Sequence, residues 1–244
     1  TFLENVMSTN KWAINDMISK YGKPVDRTEW GMFPQTYNAY YNPSNNEIVL
    51  PAAIFTVPGF KDEELDDALV YGYAGASTIG HEITHGFDDE GRQFDEHGNL
   101  KNWWTKEDED QFNARAQKMV HQFNEYTVLD SLHINGKATL GENIADLGGI
   151  VLALDAFKKT PQFHAHQSVN GLKPVQRFFM GYALGWLGHT RPEEMASRVL
   201  TDVHSPAHLR VIGPFTNLPE FYDAFGIKEG MKMWRPDSLR VKIW

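Results

Sequence analysis

The 244-residue sequence has no cysteine. Disulfides, thiolate zinc sites and cysteine nucleophiles are therefore excluded together. Positive charge is scarce as well: 23 Lys and Arg stand against 32 Asp and Glu, a net charge of −9. No basic run exceeds a pair, so a phosphate-backbone partner, which needs a basic face, is not expected and neither is nucleic acid. Long apolar runs are missing too. The best candidate, residues 178–187, is about half the ~20 residues that a membrane helix needs, so no membrane segment is expected. The start, Thr1-Phe2-Leu3-Glu4-Asn5, has no initiator Met, basic leader or apolar signal stretch. It reads as a piece of something longer, and the absence of cysteine points to a cytoplasmic location. What the chain does have is a core: 41% of residues are hydrophobic and 13% aromatic, including seven Trp, a composition unlike that of disordered chains. Repeats, low-complexity tracts and linkers are not found, so one domain over 1–244 is the expectation.

Hydrophobic periodicity predicts a mostly helical α+β protein with a small sheet near its start. Residues 37–41 and 47–50 flank Asn42-Pro43-Ser44-Asn45-Asn46, a turn-forming run, and predict a hairpin. A helix is predicted from Asp62 to about His85, with Leu65, Leu69, Tyr73, Ala76, Ile79 and Ile83 on its apolar stripe. Gly72, Gly75 and Gly80 fit that helix only if a neighbour packs closely against it. A second helix starts at the N-cap Thr105, and Phe112, Ala116, Met119, Val120, Phe123 and Tyr126 line one side of it. A short strand or turn is expected at 132–136. A third helix runs from about Thr139 to Lys159, with Ile144, Leu147, Val151, Leu154 and Phe157 facing inward. Further helices are predicted at 173–187, 191–201 and 219–225, the last stopped by Gly226.

The strongest local signal is His81-Glu82-Ile83-Thr84-His85. Residues four apart share a helix face, so both imidazoles can reach one ion, and Glu82 can reach a water bound to it. A catalytic zinc keeps one position open and still needs a third protein ligand. The metzincin spacing would put a His at position 91 and a Gly at 88; the chain has Gly91 and Asp88 instead, which rules that class out. A carboxylate on another helix is the remaining common solution. Glu142 and Asp146, in Gly141-Glu142-Asn143-Ile144-Ala145-Asp146, lie four apart on one face. Glu142 has a competing duty, because Thr139-Leu140-Gly141-Glu142 fits a capping box. The incomplete zinc site tips the balance toward a ligand. Asp146 then becomes the acceptor that fixes the tautomer of a ligating His.

These motifs also carry a family resemblance. The stretch from His81 to Asp89, the run Gly141 to Gly149, Asn38-Ala39-Tyr40-Tyr41, Asp202-Val203-His204-Ser205-Pro206 and the final Trp244 together resemble the neprilysin and endothelin-converting-enzyme family of zinc peptidases. The resemblance spans nearly the whole chain and corresponds to the C-terminal catalytic part of such proteins. It implies a zincin-like, thermolysin-type catalytic domain, and an N-terminal lid lobe as a partner outside this chain. Val241 stands where eukaryotic members have Cys, which makes the chain similar to the bacterial endopeptidase O branch. By resemblance, His81, His85 and Glu142 hold one Zn²⁺ and Glu82 is the base. His204 stabilises the transition state, with Asp88 as the carboxylate that pairs with it. Arg210 meets a substrate carbonyl, Asn38 and Ala39 form an edge strand for the peptide backbone, and Trp186 lines the pocket for the residue after the cut. The implied activity is endopeptidase cleavage of oligopeptides on the amino side of bulky apolar residues. The rival expectation is a zinc-binding fragment without turnover until joined to its missing lobe.

Overall fold

The computed structural model describes residues 1–243, and the chain forms two compact units, Thr1–Gly31 and Met32 onward. The first unit holds helix α1 (Phe2–Ser19), which the sequence reading did not place. Thr1 and Glu4 close a capping box at its start, and none of its residues is buried. Lys20 beyond it pairs with Asp16 and Glu29.

The second unit opens with the expected hairpin. Strands β1 (Tyr40–Asn42) and β2 (Glu47–Val49) pair antiparallel with Tyr40 opposite Val49. The turn between them places Asn46 at φ 47°, a left-handed conformation that Asn tolerates. Asn38 and Ala39 precede β1 rather than lie within it.

The next element, α2, spans residues 67–85 and starts later than the sequence predicts. Asp66 is its cap: its carboxylate accepts from the Leu69 N–H and from Arg177. The run is not a regular helix either. Between the α turns Asp67–Val70 and His81–His85 lie wide π turns, Tyr71–Gly80. Each i→i+5 bond adds a residue to the turn and rotates whatever follows. The predicted stripe therefore breaks: Ala76 is fully buried, whereas Ile83 is 43% exposed.

Helix α3 (Lys106–Asn124) has the predicted cap, with Thr105 Oγ1 accepting from the Asp108 N–H. It buries Phe112, Ala116, Met119, Val120 and Phe123 of the predicted apolar face, whereas Tyr126 lies past its end and is half-buried. Strands β3 (Thr127–Leu129) and β4 (Leu132–His133) form a second small hairpin. Helix α4 (Leu140–Phe157) is the centre of the unit. It is apolar nearly all round, the signature of a helix enclosed by others. Ile144, Leu147, Ile150, Leu154 and Phe157 are buried, while Val151, predicted to face inward, is not. A Cβ on Gly149 would stand 2.4 Å from the Ala76 carbonyl oxygen and 2.7 Å from the His81 nitrogen. Only glycine lets α2 and α4 approach this closely, which sets the first histidine beside the carboxylates of α4.

After the short α5 (Pro161–His164), helices α6 (Pro174–Leu184), α7 (Pro192–Thr201), α8 (Ala207–Phe215) and α9 (Pro219–Phe225) complete the unit. Gly226 ends α9 at φ 65°, as predicted. Helix α8, which the sequence pattern does not predict, carries Pro214 in its last turn. Pro214 has no N–H to offer the Arg210 carbonyl. The Tyr182 hydroxyl of α6 donates to that carbonyl instead, at 3.1 Å. Phe178, Phe179, Tyr182, Phe215 and Phe221 pack together between these helices.

Candidate active site

The metal-ligand group and the residues that bond to it come from α2, the turn after it, α4, the loop leading into α8, and α8 itself. The segment before β1 and the end of α6 add Asn38, Ala39 and Trp186. His81 and His85 face each other with their Nε2 atoms 3.0 Å apart. Glu142 closes the group, one oxygen 3.3 Å from His81 Nε2 and the other 3.6 Å from His85 Nε2. One ligand atom from each of the three lies within 4.8 Å of the others, close enough to hold one metal ion. The capping box that competed with the ligand reading of Glu142 is not formed. Thr139 makes no cap bond; its hydroxyl donates to the Asn135 carbonyl and accepts from Asn143. Glu142 is thereby free of helix duty.

The Nδ1 atoms explain why this cluster suits a cation. His81 Nδ1 meets Asp146 at 3.0 Å and His85 Nδ1 meets Asp88 at 2.7 Å. A carboxylate facing Nδ1 keeps the ring proton there, so each Nε2 turns a lone pair toward the other and toward Glu142. With Nδ1 protonated, the two Nε2 atoms and Glu142 can offer three ligand atoms to one cation, which would displace any proton held among them. Burial alone would lower His81, but Asp146 and Glu142 outweigh it and carry its pKa up to about 9. The field that favours a proton there favours any cation among the three groups. Glu142 shows the same field from the other side. Burial raises it, but hydrogen bonds from His204 and His81 and the Arg210 charge hold it far below the usual carboxylate range. Glu82, 7% exposed, is pushed up by burial and by Glu142, against the pull of the two histidines.

Asp88 requires a correction. The expectation paired it with His204, but it lies three residues past His85, at the end of α2, and its carboxylate serves His85. The N–H groups of Glu90 and Gly91 fix its other oxygen. The partner of His204 is Asp202, which the sequence reading missed. Its carboxylate accepts from both the His204 backbone N–H, at 2.9 Å, and Nδ1, at 2.7 Å. The Asp-x-His spacing was the available signal, since an Asp commonly bonds the backbone two residues on. His204 Nε2 then lies 3.3 Å from Glu142, which raises its pKa against the effect of burial. Asn143 holds that loop in place by accepting from the Ser205 hydroxyl at 2.9 Å. The neighbours of the ligand and of the histidine are thus tied to each other.

Arg210 is 7% exposed and spends Nε and Nη2 on Asp146, with Nη2 also 3.2 Å from Glu142. Its guanidinium stacks 4.1 Å from the Trp186 ring. A cavity of about 370 Å³ brings the set together. Asn38, Ala39, His81, Glu82, His85, Asp88, Glu142, Trp186, His204 and Arg210 all line it, whereas Asp146 lies behind His81.

Two histidines one helical turn apart, a glutamate from a second helix and a buried glutamate beside them form an HExxH-type group that could hold a metal ion. Residues 38–241 match peptidase family M13, and the chain belongs to that family. It is 41% identical over 235 residues to an endothelin-converting enzyme homolog of Locusta migratoria, covering 95% of this chain and 32% of that protein. The chain thus spans about a third of that relative. Among solved structures, it is similar to the zinc metalloprotease Zmp1 of Mycobacterium tuberculosis in complex with an inhibitor, at 42% identity and a TM-score of 0.87, over 94% of this chain and 36% of that one. It also matches PepO of Lactobacillus rhamnosis, at 37% identity and a TM-score of 0.81, over 91% of this chain and 34% of that one. The zincin-like fold follows from these likenesses. Trp244, part of the sequence resemblance, lies outside the described residues.

Proposed function

We propose that this chain is the catalytic part of a zinc endopeptidase that cleaves oligopeptides, on the amino side of bulky apolar residues. The observation that carries the reading is the facing pair of Nε2 atoms closed by Glu142, with Glu82 buried in the same cavity. His81, His85 and Glu142 would hold Zn²⁺, whose two imidazoles and one carboxylate suit zinc better than magnesium or calcium. Bound there, the ion would polarise a water molecule and a substrate carbonyl. Glu82 takes a proton from the attacking water and passes it to the leaving amine. Raised by burial, its carboxyl is suited to both halves of that transfer. His204 donates from Nε2 to the developing oxyanion, and Asp202 holds its ring by Nδ1. Arg210 has Nε and Nη2 committed to carboxylates, so Nη1 is the group that reaches a substrate carbonyl. Asn38 and Ala39 pair with the peptide backbone, a mode with little sequence preference. Trp186 shapes the pocket for the residue after the cut.

The test separates metal from base. Glu142→Ala loses most bound zinc by elemental analysis, because one protein ligand of three is removed. Glu82→Gln keeps zinc while turnover falls by at least the ~10²–10⁴ typical of a lost acid–base group. Unchanged zinc in the first variant, or near-normal hydrolysis in the second, sinks the assignment. A second reading has its own support, since the chain spans 32% of a curated relative. In that case the chain binds zinc but turns over no peptide until the N-terminal lobe is supplied. Hydrolysis by the chain alone, abolished by a chelator, rules that reading out.

A further inference from the structure

The cleft has an adjoining cavity. It is about 200 Å³ in volume, and Trp186, Thr190, Met195, Arg198 and Val199 frame it between the end of α6, helix α7 and the loop into α8. It shares Trp186, His204 and Arg210 with the cleft that holds the metal-ligand cluster. Trp186, Met195 and Val199 give it an apolar side, Asp202, His204 and Ser205 a polar one, and the volume suits one amino-acid side chain. Four of its lining residues carry or can carry charge: Arg198, Arg210, His204 and Asp202, whose Oδ1 is engaged by His204 and whose charge also acts on Arg198. Arg210 is neutralised by Asp146 and Glu142. Arg198 is half exposed and bonds Glu194, one turn earlier on α7, through Nε alone, at 2.8 Å. Among the described residues, its Nη1 and Nη2 have no hydrogen-bond partner.

That arrangement is a partly organised receptor for a carboxylate. Guanidinium groups bind carboxylates through two parallel N–H donors, and the Nη1–Nη2 edge offers such a pair. Glu194 occupies Nε and so steadies the side chain without blocking that edge. An exposed ion pair one helical turn apart is weak, so the guanidinium can be shared with a ligand. We infer that this cavity is a substrate subsite in which Arg198 binds a peptide carboxylate while the apolar side takes the carbon chain attached to it. The carboxylate is either a free C-terminus or an Asp or Glu side chain. The inference rests on the reading of the cleft as a peptide site.

Binding tests it without turnover. Full-length, zinc-loaded protein carrying Glu82→Gln is titrated with three N-acetyl pentapeptides of one parent sequence: the free acid, the neutral C-terminal amide, and the amide with Glu replacing Gln near the C-terminus. The acid or the Glu peptide binds about fivefold tighter than the neutral amide, the upper range for an exposed pair. Which of the two gains identifies the source of the carboxylate. Adding Arg198→Gln erases the preference with zinc content unchanged, and Arg198→Lys, a point charge without the fork, restores part of it. Equal affinity for all three peptides overturns the inference, as does a preference that survives Arg198→Gln. So does an Arg198→Gln variant that weakens all three equally, which would make Arg198 a packing residue. Failure of every peptide to bind zinc-loaded protein overturns the peptide-cleft reading itself, and this inference with it.

Discussion

His85 and His204 each present Nδ1 to an aspartate at 2.7 Å, yet the two aspartates should fail differently. Asp88 orients a histidine whose Nε2 belongs to the metal-ligand group, so Asp88→Asn should weaken zinc about 10- to 100-fold, with activity restored at high zinc. Asp202 orients a histidine outside that group. Asp202→Asn should keep zinc and lower kcat with little change in KM, by less than the ~10²–10³ of losing an oxyanion donor outright. Combined with His204→Gln its effect should be less than additive, because the two residues act as a unit. Zinc titration and steady-state kinetics on the two variants read this directly. Zinc loss in Asp202→Asn, or normal zinc affinity in Asp88→Asn, would reverse the two roles. Resemblance had linked Asp88 to His204 across more than a hundred residues, although each aspartate had a histidine within three residues of it. Local reach of a short carboxylate decided both pairs, and that much was legible in the sequence.

At the scale of elements, the legible part is what periodicity and caps encode. Thr105 starts α3, Gly226 stops α9, and the Asn-rich turn closes the first hairpin as read. Elements went unread where local chemistry speaks against them. Helix α8 follows a proline, carries Gly213 and Pro214, and depends on the distant Tyr182 hydroxyl to satisfy Arg210. Helix α1 buries nothing, so no inward stripe announces it. The π turns of α2 leave no mark in the hydrophobic period, and within them Gly72 and Gly80 meet the backbones of α6 and α4. Gly149 is where the contact between α2 and α4 is tightest. Gly149→Ala should cost ~1–3 kcal/mol, as overpacking does, because both nearest atoms are backbone and cannot rotate away. Since one of them is the His81 nitrogen, zinc affinity should fall together with the urea midpoint. A variant with parent stability and parent zinc affinity would show that α2 and α4 can part at no cost.

At the scale of the molecule, the buried core and the site belong to one unit. Every residue of the core cluster lies between Ala68 and Ile243, and the metal-ligand group, Asp88, Asp146, Asp202 and Arg210 all fall within the same stretch. The buried charges Asp146 and Arg210 join α4 to α8 beneath the histidines. Folding of this unit and formation of the ligand group are therefore one event, and a metal that binds only the folded form should stabilise it by mass action. Zinc at about 100 times its Kd adds ~2.7 kcal/mol. A chain starting at Met32 lacks no core residue and no ligand, so it should show the same zinc-dependent rise in Tm as the 244-residue chain, and chelator should erase the rise in both. A trimmed chain that unfolds at the same temperature with and without zinc would show that residues 1–31 support the site by a route other than burial in its core.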